Sequence, residues 1–355
     1  MKKIKEFNNI SFFKVENLGF YIYGKAINTF LNNEFESVFI MPILPNYQVV
    51  GCSDYYIVFT DFVSTLIFSH SEEIFNSANY GYLTNHKDLF LVENYQLNTI
   101  LFFDIKSKLF NSTNIQHWGQ SYWSSHLFIQ RKKHLTSYSL INFTTFWHYE
   151  LPEGVYNVQR RTRYLDKPFE EVNAEIVKIL GVYSGVLYIV LNSGRIIGLE
   201  ENTGQEVFSK IEPDQLTLNY ENERIYTPTI LWLNTQLDVE NGIIFGLLGD
   251  FYAEIDLKNS SKEYKVYDIG YQSNTKKIKC TNWGVWQGDE IFFGETNFAK
   301  EPARVGIFNR KAKQVTWTSD ELGDEGVFNG LRKIDYAQNK LYILDMESTL
   351  HIFER

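Results

Sequence analysis

Between positions 183 and 210 the chain alternates three short hydrophobic runs with two polar turns. Positions 186–190 are apolar throughout. Asn192, Ser193 and Gly194 follow, a turn in which glycine can take positive φ. The second run spans 195–200, the second turn is Glu201-Asn202-Thr203-Gly204, and the third run spans 205–209. Short runs bounded by turn residues predict β-strands joined as hairpins.

Six other stretches repeat this pattern less completely, at 54–77, 87–112, 125–149, 240–267, 288–318 and 339–355. With 183–210 they make seven units, the later ones roughly 50 residues apart, a spacing typical of propeller blades. The expected fold is all-β: one β-propeller domain over 1–355, with seven blades within a range of six to eight. The last unit stops short at the C-terminus, while 10–15 and 20–27 are strand-like and belong to no unit. Propellers commonly close by lending a strand from one terminus to the blade at the other, which removes an exposed sheet edge. Positions 10–15 are the expected closing strand.

Two stretches depart from the pattern. Positions 166–180 read as an inserted helix. Asp166 can cap it, Pro168 sits in its first turn, Glu170 and Glu171 complement its dipole, and Phe169, Val172, Ile176, Ile179 and Leu180 share a face. Positions 213–240 read as a long polar connection.

Composition narrows the setting. The formal charge is −9 with a pI near 5.4, which disfavours nucleic acid or an anionic membrane surface as partner and favours a basic protein. Phe and Tyr, at 28 and 23 copies, suit pleated strands. The cysteines, Cys52 and Cys280, are far apart in sequence; one disulfide could join them, yet so low a usage fits a reducing compartment. The N-terminal lysines precede no apolar leader core, because Glu6, Asn8 and Asn9 interrupt it. The apolar run at 38–44 is too short to span a bilayer. A cytoplasmic protein is expected.

The unit at 186–209 resembles the repeat of quinoprotein-like β-propellers. Gly194, Leu199, Glu200, Thr203, Gly204 and Phe208 match that repeat, with Phe208 where the family usually has Trp; Asp256, Asn309 and Trp317 echo it later. The resemblance implies a fold rather than a chemistry. Quinone-using members are typically exported and dock their cofactor with regularly repeated tryptophans. The seven Trp here do not recur at one blade position, so no cofactor is expected.

Chemistry-bearing residues are scattered. His70, His86, His117, His126, His134 and His148 lie in one third of the chain, but their spacing matches no metal motif, and His134 follows Arg131-Lys132-Lys133; no metal is expected. Trp118 and Trp123 precede one unit, Trp283 and Trp286 another; they are read either as contact residues or as wedges between blades. Arg160, Arg161 and Arg163 form a basic cluster that could meet an acidic group or pair with the acidic residues after it. Asp320, Glu321, Asp324 and Glu325 form an acidic loop, either a surface for a basic partner or a solvated turn. No nucleophile elbow, phosphate-binding loop, zinc-protease or dinucleotide motif is present.

These features point to a non-catalytic protein-binding scaffold, with an immunity-type protein that caps a basic toxin domain as one specific form. Two alternatives stay open. One is a carbohydrate-active hydrolase or lyase with carboxylates at the channel mouth. The other is a structural subunit docking through the Phe169/Val172/Ile176 helix face.

Overall fold

In the computed structural model, all residues are described except 17–18, 26, 42–43, 45–46, 53–55, 62–63, 70–71, 87, 116–118, 161–169, 211–217, 221–222, 226–233, 250, 270–277, 279, 281 and 296–301; at 51–52, 158–160, 170–172, 218–220, 223–225 and 282–283 the description covers backbone only. The described strands form eight four-stranded antiparallel sheets and two short hairpins. Seven of these sheets follow chain order from inner to outer strand and the eighth takes its outer strand from the N-terminal segment, the topology of a closed propeller. Blades 1 to 4 begin at Ile10, Gln48, Tyr80 and Gln120, and blades 5 to 8 at Ile176, Gln236, Asn282 and Leu331.

Packing shows why the second strand of each unit is so apolar. In Val186–Leu191 of blade 5, Leu187, Ile189 and Leu191 pack toward blade 4, while Tyr188 and Val190 pack toward blade 6. Both faces of the sheet are buried, so the run reads as continuously hydrophobic rather than alternating. Eight hydrophobic clusters occur, one at each interface between neighbouring blades. The cluster joining blade 8 to blade 1 combines Tyr342, Leu344, Leu350 and Ile352 with Ile10, Phe13, Phe20 and Ile22, and this closes the ring.

Three expectations need correction. First, the ring has eight blades rather than seven. Ile10–Glu16 and Gly19–Gly24 are the first two strands of a complete blade 1, followed by Asn28–Leu31 and Ser37–Ile40. Second, the closing strand is Lys2–Phe7, which pairs antiparallel with Leu350–Glu354 as the outermost strand of blade 8. Positions 10–15 instead form an inner strand. Alternation alone could not separate these two roles, because both segments are strands.

Third, the stretch at 166–180 is not a helix in its described part. Glu170–Val172 pairs with Val158–Arg160, and Ile176–Tyr183 is the inner strand of blade 5; Phe169 lies outside the described residues. Register irregularities fall between Ile176 and Lys178 and between Ile179 and Gly181. Each bulge shifts the two-residue alternation by one, so the apolar spacing imitates a helical face. Ile176 and Ile179 face blade 4, and Leu180 faces blade 6. The docking helix of the structural-subunit reading is therefore absent there.

Inner-strand bulges are widespread. They also occur in blades 1, 2, 3, 7 and 8. In those blades the broken alternation helps explain why the sequence units start on the second strand. Cys280 is a free thiol buried between blades 6 and 7, its ionisation pushed up by burial; Cys52 lies on the inner strand of blade 2.

Candidate functional site

Antiparallel order divides the connections between two faces. Links between first and second strands, and between third and fourth, leave from one face. Links between second and third strands, and from one blade to the next, leave from the other. The longest connections, joining Glu150 to Ile176, Lys210 to Gln236, Asp268 to Asn282 and Thr318 to Leu331, all start and end at this second face. The longest link on the opposite face is 257–263. Exposed apolar residues in the connections follow the same division: Tyr95, Leu97, Val155, Val327 and Met346 against Ile141 and Val239. Loop-rich faces of rigid scaffolds are where binding residues concentrate.

One described set of exposed apolar residues on that face lies at blades 7 and 8. Val327 and Met346 are 46% and 64% exposed. Met346 meets the turn that follows Val327: its N–H donates to the Asn329 carbonyl at 3.2 Å, and a Cβ on Gly330 would come within 2.7 Å of Met346 Cγ. Gly330 also has φ +73°, so the turn needs glycine on both counts. Asp324 and Glu325 shortly precede Val327 in the chain and Glu347 follows Met346; all three are exposed and without an ion-pair partner among the described residues. Asp320 is different: Arg304 Nη1 donates to its carboxylate at 3.0 Å, while Nε and Nη2 of the same arginine bind Glu295. Glu321 is exposed. Arg332 supplies one exposed cation nearby, its guanidinium donating to Ser348 Oγ at 3.2 Å.

The other sequence-derived candidates fall as follows. Trp123 stacks on His86 of blade 3 at 5.4 Å and its indole N–H reaches Thr84 Oγ1 at 3.4 Å. Trp286 meets Phe245 of blade 6 edge-on at 5.2 Å. Both are half-buried on inner strands, against a neighbouring blade. Trp283 opens the inner strand of blade 7, and Arg160 ends the strand Val158–Arg160. Trp118, Arg161 and Arg163 lie outside the described residues. The topology thus brings Arg160 and the acidic loop to the same face, on different blades. Val327 and Met346 were not legible as site residues, because a single exposed Val or Met has no sequence signature.

Near the axis, the inner strands of blades 1 and 8 carry charged pairs: Lys14 with Glu16 at 2.7 Å and Lys333 with Asp335 at 3.5 Å. Lys333 also donates to the Phe13 carbonyl at 2.8 Å, tying the two blades together. Burial pushes the Asp335 carboxyl above its usual value, and Lys333 only partly opposes this. A carboxyl raised in the folded state favours folding when protonated and costs stability once ionised. Asp335→Asn keeps the acceptor for the Tyr336 N–H. The variant is expected to unfold at a higher temperature than the wild type at pH 7. The difference should vanish below about pH 4, where the unfolded carboxyl also takes its proton. Thermal unfolding across pH checks this; a variant less stable at pH 7 would refute it.

Comparison with known proteins adds fold but no family. No family model matches the chain, and no curated protein matches it. Among solved structures it resembles the computationally designed protein Ika8, with a TM-score of 0.56 and 9% identity over 98% of this chain and 96% of that one. It also resembles Sqt1 of Saccharomyces cerevisiae, with a TM-score of 0.54 and 11% identity over 86% and 84% of the two chains. BamB from Moraxella catarrhalis matches more loosely, with a TM-score of 0.47 and 11% identity over 87% and 96%. At these identities the likeness is one of fold. The class is an eight-bladed β-propeller, and the quinoprotein-like resemblance extends no further than that. No helix among the described residues is long and apolar enough to cross a membrane.

Proposed function

We propose that the protein is a non-catalytic binding scaffold whose loop-rich face takes a basic protein partner. One observation carries this reading: the exposed Val327 and Met346, each flanked in the chain by exposed acidic residues, Asp324 and Glu325 before the first and Glu347 after the second, on one face of a closed ring. An apolar centre with a charged rim suits a protein interface, the apolar contact giving affinity and the rim giving steering. The net charge of −9 has the same sign. A reducing compartment agrees with the free Cys280. Capping of a basic toxin domain is one form such binding could take.

The test is capture of partners from the native host on the tagged full chain, at low and high salt. A stoichiometric basic partner is expected, retained at low salt and weakened as salt rises. Met346→Asp with Val327→Asp should lose it, while Ile141→Asp and Val239→Asp on the opposite face should keep it. Absence of any stoichiometric partner, or equal capture by both pairs of variants, would overturn the proposal.

A further inference from the structure

We propose a second site, independent of the patch above: a transition-metal site on blade 4, formed by His134, His148 and Glu150, that takes zinc. The three residues come from the outer hairpin of the blade, His134–Ser139 and Thr145–Glu150. The register sets His134 opposite Glu150 and Thr136 opposite His148. Alternation then places His134, Thr136, His148 and Glu150 on one side of the hairpin, while Leu135 and Trp147 turn to the opposite side and pack toward blade 5. One ligand atom from each of His134, His148 and Glu150 lies within 4.8 Å of the others, and all three side chains are exposed.

The finer geometry suits a metal. The imidazoles of His134 and His148 are stacked, 5.4 Å between centroids and 25° between planes, so their ring edges are presented together. His134 Nδ1 faces Glu150 Oε2 at 3.9 Å. Thr136 Oγ1 lies 3.0 Å from His148 Nδ1. A hydroxyl accepting from that nitrogen fixes the tautomer and leaves Nε2 as the free donor, the arrangement seen in metal-bound histidines. Ligand atoms around tetrahedral zinc lie about 3.3 Å apart, given bonds of about 2.0–2.1 Å. All three side chains are exposed and so free to rotate toward that spacing. Two imidazoles and a carboxylate select zinc, nickel or copper over magnesium or calcium. Three protein ligands leave a fourth position open to solvent.

The adjacent cations oppose the ion but do not occupy its place. Arg131 ends the preceding strand and Lys132 and Lys133 form the turn. The backbone of that turn is fixed from outside the hairpin: the Lys132 carbonyl accepts from Ile176 N–H at 2.7 Å and the Lys133 carbonyl from Leu151 N–H at 3.0 Å. Glu150 supplies the negative charge that offsets them. His134 opens its strand and Glu150 ends its own, so the site sits at the rim of the loop-rich face.

Calorimetric titration of the full chain with zinc chloride tests the site. One ion per chain is expected, with magnesium giving no binding. His134→Ala, His148→Ala and Glu150→Gln should each weaken zinc binding at least tenfold, and Thr136→Val by about tenfold. His126→Ala is the control, since His126 stacks on Phe146 at 4.6 Å and belongs to the opposite face. Metal-free unfolding temperatures should match the wild type in the His134, His148 and Glu150 variants, because those side chains are exposed. Absence of stoichiometric zinc binding, or unchanged affinity in the His134→Ala/His148→Ala double variant, would overturn the proposal.

Discussion

Removing residues 1–7 is expected to open the ring, lowering the unfolding temperature and producing aggregation. The strand Lys2–Phe7 forms the outer edge of blade 8, with Lys2 opposite Glu354 and Phe7 opposite Leu350. Without it, Leu350–Glu354 becomes a free edge whose unpaired backbone groups can recruit another chain. Apolar burial is lost as well. Ile4 and Phe7 pack against the cluster between blades 8 and 1, and the Phe7 ring lies 6.2 Å from Phe20 and 6.4 Å from Phe35. Partial burial of two such side chains and the hydrogen bonds of the ladder, less the cost of ordering the segment, stabilise the fold by roughly 3–5 kcal/mol. At about 2 °C per kcal/mol, the expected shift is about 6–10 °C. A synthetic peptide of residues 1–9, added in excess, should restore part of the loss by strand addition. A truncated protein that stays monomeric and unfolds with the wild type would refute this account of closure.

Arg310→Ala is expected to destabilise the protein comparably, by about 3–5 kcal/mol, because it strands a buried carboxylate. Arg310 is 4% exposed and Asp238 is 1% exposed. Nη2 of Arg310 lies 2.6 Å from Asp238 Oδ2, across the interface between blades 6 and 7, and also donates to the Gly288 carbonyl at 2.6 Å. The guanidinium lies over Phe245, 4.1 Å from the ring centroid, with Trp286 at 5.0 Å. Nε and Nη1 meet no hydrogen-bond acceptor, so the aromatic rings and the Asp238 carboxylate are what the buried cation has. Burial alone would raise the Asp238 carboxyl, but hydrogen bonds from Arg310 and Asn241 outweigh it and hold the group below its usual value. Its contribution is therefore complete above about pH 4 and is lost as pH falls through the depressed value.

Removing both charges should cost far less than removing one. Asp238→Asn combined with Arg310→Met leaves no uncompensated ion and keeps apolar volume over Phe245. A double-mutant cycle by chemical denaturation measures the difference. If Arg310→Ala and the double variant lose equal stability, the pair acts only through packing.

The same two interactions show where the sequence stopped being readable. The apolar runs were legible because both faces of each blade are buried, so each second strand stands out against its turns. That was enough for the propeller class and for strands in every blade. Inner strands were hidden, since bulges such as the two in Ile176–Tyr183 break the alternation and turned one strand into an apparent helix. Blade 1 was present as 10–15 and 20–27 but was divided between closure and no assignment, because strand character does not say which neighbour a strand will choose.

The candidate sites were less legible than the fold. The acidic loop was visible as a charge run; its apolar centre, Val327 and Met346, was not. Six histidines were visible, yet their sequence spacing matched no metal motif. His134, His148 and Glu150 meet only because a hairpin register sets position 134 against 150. The sequence by itself determined the material of the ring: strand-forming runs, turns and an acidic surface. Tertiary structure decided the blade count, the strand that closes the ring, and which side chains share a site. These depend on pairings between residues distant in the chain, as with Lys2 and Glu354 or Asp238 and Arg310, whose energies depend on geometry that local patterning does not encode.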